Sequence, residues 1–126
     1  MRILILPWMY PTEDNPIGGI FVKNYAECLA EKHEVVVFYP QPVPIRKWRG
    51  FRRFVKRGKW TEVRMEYPYL GGPTSLLINA LIILLFAPKR VDVIHIHDVL
   101  PVGLGGVLFG GVFGIPVVFT LHSNKD

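Results

Sequence analysis

Apolar positions in this chain fall into two patterns. Four short runs are almost continuously apolar: residues 2–6 (RILIL), 34–39 (EVVVFY), 92–97 (DVIHIH) and 115–121 (IPVVFTL). Strands covered on both faces read this way, because both side-chain directions meet packed elements. The stretches between them have helical character. Residues 20–32 place Phe21, Tyr25, Cys28 and Leu29 at helical steps. Residues 75–86 form a second helical stretch, with Thr74 as its expected cap and Pro88 closing it. Residues 102–113 form a third. A Pro-rich run, 40–44, ends the second strand, and residues 60–67 alternate loosely as a further strand.

Strands alternating with helices predict α/β architecture, a doubly wound parallel sheet of Rossmann type. The 126 residues suit one domain. Half are hydrophobic, which excludes a disordered chain. Two stretches approach membrane-span character. Residues 76–87 are too short and suit a buried helix. Residues 102–119 carry no charge over eighteen positions, but they hold six glycines and Pro116 and split at Gly114. The single cysteine, Cys28, allows no internal disulfide and suits a reducing, cytoplasmic compartment. The N-terminus lacks the pattern of a signal peptide.

Charge changes the picture locally. Residues 46–59 (RKWRGFRRFVKRGK) hold eight of the fifteen basic residues and no acidic one. As a helix, this segment places Trp48, Phe51, Phe54 and Val55 on one face. Arg46, Lys47, Arg49, Arg52, Arg53, Lys56 and Arg57 surround that face. Such a basic, aromatic surface suits an anionic membrane. Nucleic acid is a weaker candidate, and a solvated loop is the plain alternative. Gly50 and Gly58 count against a perfect helix.

Candidate chemistry gathers where apolar runs break into polar residues. Gly18 and Gly19 open the first helix, where unpaired N–H groups favour an anion. A tight turn explains the same pair. His95 and His97 share one face of a strand. His95 lies deeper and is expected to pack in the core. His97, at the carboxyl end, is expected to reach the crevice, with Asp98 beside it as a hydrogen-bonding pair for a hydroxyl-rich substrate. His122 and Ser123 follow the last strand at the same sheet edge. A metal is not expected, because no third ligand is placed. Glycines 103, 106, 110 and 114 make a stripe that suits close packing of the third helix.

Four motifs, in order, resemble the N-terminal half of family 4 glycosyltransferases of the GT-B fold. They are RILIL with its loop to Gly18-Gly19, the helix with LAEKHEVVVF, then DVIHIHD, and finally GIPVVFTLHS. The resemblance spans the chain apart from residues 40–73. It implies a Rossmann-like acceptor-side domain of a retaining, nucleotide-sugar-dependent enzyme. By that resemblance His97 lines the reaction centre, Gly18 and Gly19 lie near the reacting sugar and the donor phosphates, and His122 lies near the same cleft. It also implies that basic, aromatic surfaces such as 46–57 dock on anionic lipid, on the inner face of the cell membrane.

The family's second, donor-binding domain, with its Arg/Lys pair and E-x7-E motif, has no counterpart in these residues. The expectation is an incomplete GT-B fold that binds no cofactor alone, takes a sugar or lipid-linked acceptor, and is inactive in isolation. Exposed apolar surface and a homo-oligomer are expected with it. The competing reading is a stand-alone, non-catalytic binding or assembly module, paired with itself or with a separate chain.

Overall fold

The computed structural model describes residues 1–7, 10, 11, 19–97 and 102–120. Within them the elements run β1 (Arg2–Leu6), α1 (Ile20–Ala30), β2 (Glu34–Pro44), a 3-10 turn at Ile45–Lys47, β3 (Arg53–Arg57), β4 (Thr61–Tyr69), α2 (Gly72–Phe86), β5 (Val93–His97), α3 (Val102–Phe113) and β6 (Val117–Thr120). One six-stranded sheet has the order β3-β4-β2-β1-β5-β6. All its pairings are parallel except β3 with β4. The doubly wound parallel α/β reading is borne out.

The apolar runs of β1, β2 and β5 pack against helices on both faces, but the fourth run does not: in β6 no residue is buried, and Val118 and Phe119 are exposed at this edge of the sheet. Ile3, Ile5, Val35 and Val37 pack with Val22 and Ala26 of α1. Leu4, Leu6, Val36, Ile94 and Ile96 face the other way, with Ile83 of α2 and Phe109 of α3. Successive strand residues thus serve opposite layers.

The glycines of α3 do what their stripe suggests. A Cβ on Gly106 would lie 2.5 Å from Ile96 Cδ1, and one on Gly110 would lie 2.5 Å from Val117 Cγ2. Gly105 faces α2 instead, where a Cβ would lie 2.9 Å from the Ala80 Cα. Close approach to both neighbours offsets the low helix propensity of these glycines. Gly114 ends the segment with φ of 66°, so the apolar stretch 102–119 splits there into helix and strand. Among the described residues no helix is long and apolar enough to cross a membrane.

Several expectations are corrected. The basic segment is not an amphipathic helix: residues 53–57 form an edge strand antiparallel to β4, with all five residues exposed. Long-range pairing with residues 61–65 overrides the local helical spacing. Alternation sends Phe54 and Lys56 to the α1 side of the sheet and Arg53 and Arg57 to the other. Charged edge strands of this kind also discourage edge-to-edge aggregation. β2 does not stop at Tyr39 but pairs with β4 through Pro44. Its prolines alternate at 40, 42 and 44, so all three missing donors fall on one side and Gln41 and Val43 remain free to donate.

The phase of α1 also differs, since Val22 and Ala26 are its buried residues while Phe21 and Cys28 are exposed. α2 begins at Gly72, so Thr74 lies inside the helix rather than capping it. Ser75 Oγ instead accepts from the backbone N–H groups of Leu70 and Gly71, at 2.9 and 3.0 Å.

α2 carries an outward stripe at i, i+4 spacing: Leu77, Leu81 and Leu85 are 60%, 54% and 63% exposed. Leu104, Val107, Leu108 and Val112 of α3 are exposed as well. The expected apolar surface is therefore present.

Candidate functional site

Strand order reverses direction at the centre of this sheet. From β1 the chain crosses to β2 on one side, and β5 lies on the other. Open α/β sheets bind ligands at the carboxyl ends of strands flanking such a switch point. β1 ends at Leu6, and β5 ends one residue beyond the Leu6–Ile96 pair, at His97. His97 therefore sits at the mouth of the switch-point crevice.

α1 begins beside the same edge. Gly19 precedes it with φ of 70° and ψ of 21°, a left-handed conformation that favours glycine. Its carbonyl accepts from the Val22 N–H at 3.0 Å, and among the described residues no side chain caps the helix. The first turn carries no acidic residue.

The two histidines form one aromatic unit with Tyr25 of α1. His95 and His97 stack with ring centroids 4.4 Å apart and planes 21° apart. Tyr25 meets both edge-on, 4.9 Å from His95 and 5.3 Å from His97. Burial pushes the Tyr25 phenol above its ordinary pKa, so it stays a neutral hydroxyl. His95 Nε2 hydrogen-bonds the Thr120 hydroxyl of β6. The register sets this up, because Thr120 pairs with His97 and lies diagonal to His95.

Burial of the histidines runs opposite to expectation. His97 is only 3% exposed, whereas His95 is half-buried. His97 packs with His95 and Tyr25 in a three-ring cluster and is buried, although it ends the strand. His95 is hydrogen-bonded as expected, but toward β6 rather than deep in the core. Gly19, His95 and His97 thus come together at one sheet edge with Tyr25 and Thr120. Gly18, Asp98 and His122 lie outside the described residues. Among the described residues no group of three metal-ligating side chains is assembled.

Two members of this constellation were missed in the sequence. Tyr25 reads as one apolar helix position among several, and its signal is a phenol six residues after Gly19. Thr120 is the one hydroxyl in β6, and only the register reveals its partner.

The basic residues do not converge on this edge. Trp48 packs edge-on against Phe51, 5.2 Å apart, in the turn before β3. The Phe54 ring lies under two guanidinium groups, Arg52 at 5.1 Å and Arg64 at 4.5 Å. Arg52 also pairs with Glu66 at 3.1 Å. Arg46, Lys47 and Arg49 are exposed.

None of the curated proteins matches the chain. Residues 18–126 match the description Glycosyltransferase Family 4, over a span that contains α1 and both histidines. With a parallel sheet, a glycine before its first helix and histidines at its switch point, the chain belongs to Glycosyltransferase Family 4, as the Rossmann-like N-terminal unit of a GT-B type enzyme.

Proposed function

We propose that this chain is the acceptor-side domain of a retaining, nucleotide-sugar-dependent glycosyltransferase. The observation that carries the reading is the enclosed His97 at the carboxyl end of β5, beside β1 and Gly19. An imidazole there can hydrogen-bond a sugar hydroxyl in either role, donor or acceptor. Its stack with His95 and the Tyr25 edge hold the ring in one orientation, which is what alignment of two reactants requires. The N–H groups that open α1 suit the phosphates of a donor. Gly18, Asp98 and His122 belong to the same proposed cleft.

Transfer further needs a donor-binding unit that closes over the acceptor and excludes water. In this reading the present residues supply only one wall of that cleft, and alone they transfer no sugar. The turn carrying Arg46, Lys47, Trp48, Arg49 and Phe51 rests on an anionic membrane surface, where lipid-linked acceptors are met.

The test is a titration of the chain with mono- and disaccharide acceptor mimics, followed through the imidazole resonances of His95 and His97. Shifts in those two resonances, with His33 unmoved, are expected. Saccharide binding that leaves both unmoved would place the acceptor elsewhere. Sugar transfer by the chain alone would overturn the inactivity.

A second reading is favoured by the exposed Leu77, Leu81 and Leu85 stripe. An apolar face of this kind suits an assembly module that pairs with itself or another chain. Light scattering decides it. A monomer across a wide concentration range counts against self-pairing.

A further inference from the structure

A second cluster of chemistry-bearing side chains lies on the same face of the sheet as the histidines, but on the flank of α1 away from them. Strands β2, β4 and β3 build it in two cross-strand rows. Val37, Glu62 and Lys56 form one row, and Tyr39, Arg64 and Phe54 the other. Tyr10, just after β1, completes the wall, its ring 6.4 Å from that of Tyr39. Together they line a cleft of about 170 Å³.

The charges in this cleft do not cancel. The Glu62 carboxylate is already engaged: the Tyr10 hydroxyl donates to its Oε2, and Trp60 Nε1 donates to the same oxygen at 3.0 Å. Two cations, Lys56 and Arg64, stand against that one carboxylate, so the lining keeps a net charge of +1. Neither Lys56 nor Arg64 makes an ion pair among the described residues. The Arg64 guanidinium lies between the Tyr39 and Phe54 positions, 4.5 Å from the Phe54 ring, and its buried Nε has no hydrogen bond there. Lys23 and Lys59 add positive charge in the adjoining hollow, which also borders Lys56 and Glu62.

We infer that this cleft is a binding site for a small anionic sugar, a single hydroxylated ring bearing a phosphate or a carboxylate. Arg64 suits the anion because a planar guanidinium presents a fork of donors to its oxygens. Lys56 adds a second cation from the edge strand. Tyr10 and Tyr39 offer apolar ring faces for the sugar, and the Tyr39 hydroxyl offers a partner for its hydroxyls. Pockets for drug-sized ligands occupy roughly 300–1,000 Å³, so a cleft of this size takes one ring rather than an oligomer. The site is separate from the switch-point edge and does not depend on the transferase reading.

Calorimetric titration of the chain tests the inference, with glucose 6-phosphate, glucuronate, glucose and inorganic phosphate as probes. Saturable one-to-one binding of glucose 6-phosphate, glucuronate or both is expected, and the pair tells phosphate from carboxylate. Glucose and inorganic phosphate are expected to bind at least tenfold more weakly than the better anionic sugar. Arg64→Gln should weaken that binding at least tenfold. If that variant does not fold by circular dichroism, the exposed Lys56→Gln decides, with at least threefold weakening expected. No saturable heat with either anionic sugar would overturn the inference. So would unchanged affinity in a folded variant, or equal affinity for glucose or for inorganic phosphate.

Discussion

The imidazoles of His97 and His95 stack with centroids 4.4 Å apart, and the Tyr25 ring meets both edge-on, 5.3 Å from His97 and 4.9 Å from His95. A residue on the helix thus sets the orientation of a residue on the strand. Tyr25→Phe keeps this edge contact and should leave stability within about 0.5 kcal/mol, as most conservative changes do. Tyr25→Ala should cost about 2 kcal/mol, less than a fully buried aromatic because Tyr25 is only half-buried. The His97 ring resonances should broaden in the alanine variant alone. Equal effects of the two substitutions would remove Tyr25 from the positioning role.

Helix α3 depends on contact rather than propensity. Gly110→Ala puts a methyl 2.5 Å from Val117 Cγ2 and 2.8 Å from the Ile115 carbonyl oxygen, a stiff side chain and a backbone atom. Overpacking of that kind costs about 1–3 kcal/mol. Gly111→Ala meets nothing within 4 Å and should stabilise by up to ~1 kcal/mol. Urea denaturation of the two variants should therefore give midpoints on opposite sides of the parent. Stabilisation by both would mean that α3 does not sit tight on the sheet.

These contacts also show where sequence reasoning works and where it stops. The period-two placement of His95 and His97 and the three- and four-residue steps of the α3 glycines are local signals, and both survive folding. The strand 53–57 is different. Its residues are all exposed, so burial leaves no alternation to read, while Trp48, Phe51, Phe54 and Val55 mimic a helical face. Pairing of Phe54 with Arg64 and Lys56 with Glu62 decides the matter from the neighbouring strand. In α1, the large Phe21 masks the true phase set by the smaller Val22 and Ala26. The enclosure of His97 and the meeting of Tyr10 with Glu62, 52 positions apart, are tertiary events with no local trace.

Four phenols make the fold sensitive to alkali. Burial raises Tyr10, Tyr25 and Tyr67, and it pushes Tyr39 up to about 12, with Tyr67 adding to that rise and Arg64 opposing it. An unfolded tyrosine ionises near about 10. Above that pH the unfolded chain binds fewer protons than the folded one, so stability falls as pH rises. The contribution is fully present below about pH 10 and is lost as pH climbs toward the folded values. Tyr39→Phe should make the decline between pH 10 and 12 shallower by about 1.4 kcal/mol per pH unit. Stability that stays flat through that window would contradict the burial of these rings.

The proposed docking of the turn before β3 on an anionic membrane is a matter of counting charges. Each basic residue near an anionic surface adds ~1 kcal/mol. Neutralising Arg46, Lys47 and Arg49 together, as glutamines, should therefore weaken sedimentation with anionic vesicles on the order of a hundredfold. Binding of the parent should fall at high salt and be absent with neutral vesicles. Equal binding to neutral vesicles, or none to anionic ones, would leave the turn as a solvated loop and β3 as a charge-protected edge.

The most direct test concerns His97 at the switch point. In a transfer-competent protein that contains this domain, turnover by the His97→Ala variant is measured at a temperature where circular dichroism shows it folded. A positioned reaction-centre imidazole predicts a loss in kcat of about 10²-fold or more. The accompanying loss of stability should stay below about 2 kcal/mol, since the neighbouring rings remain stacked against the sheet. A folded variant with kcat within threefold of the parent would make His97 a packed core residue, and the reaction centre would then lie elsewhere.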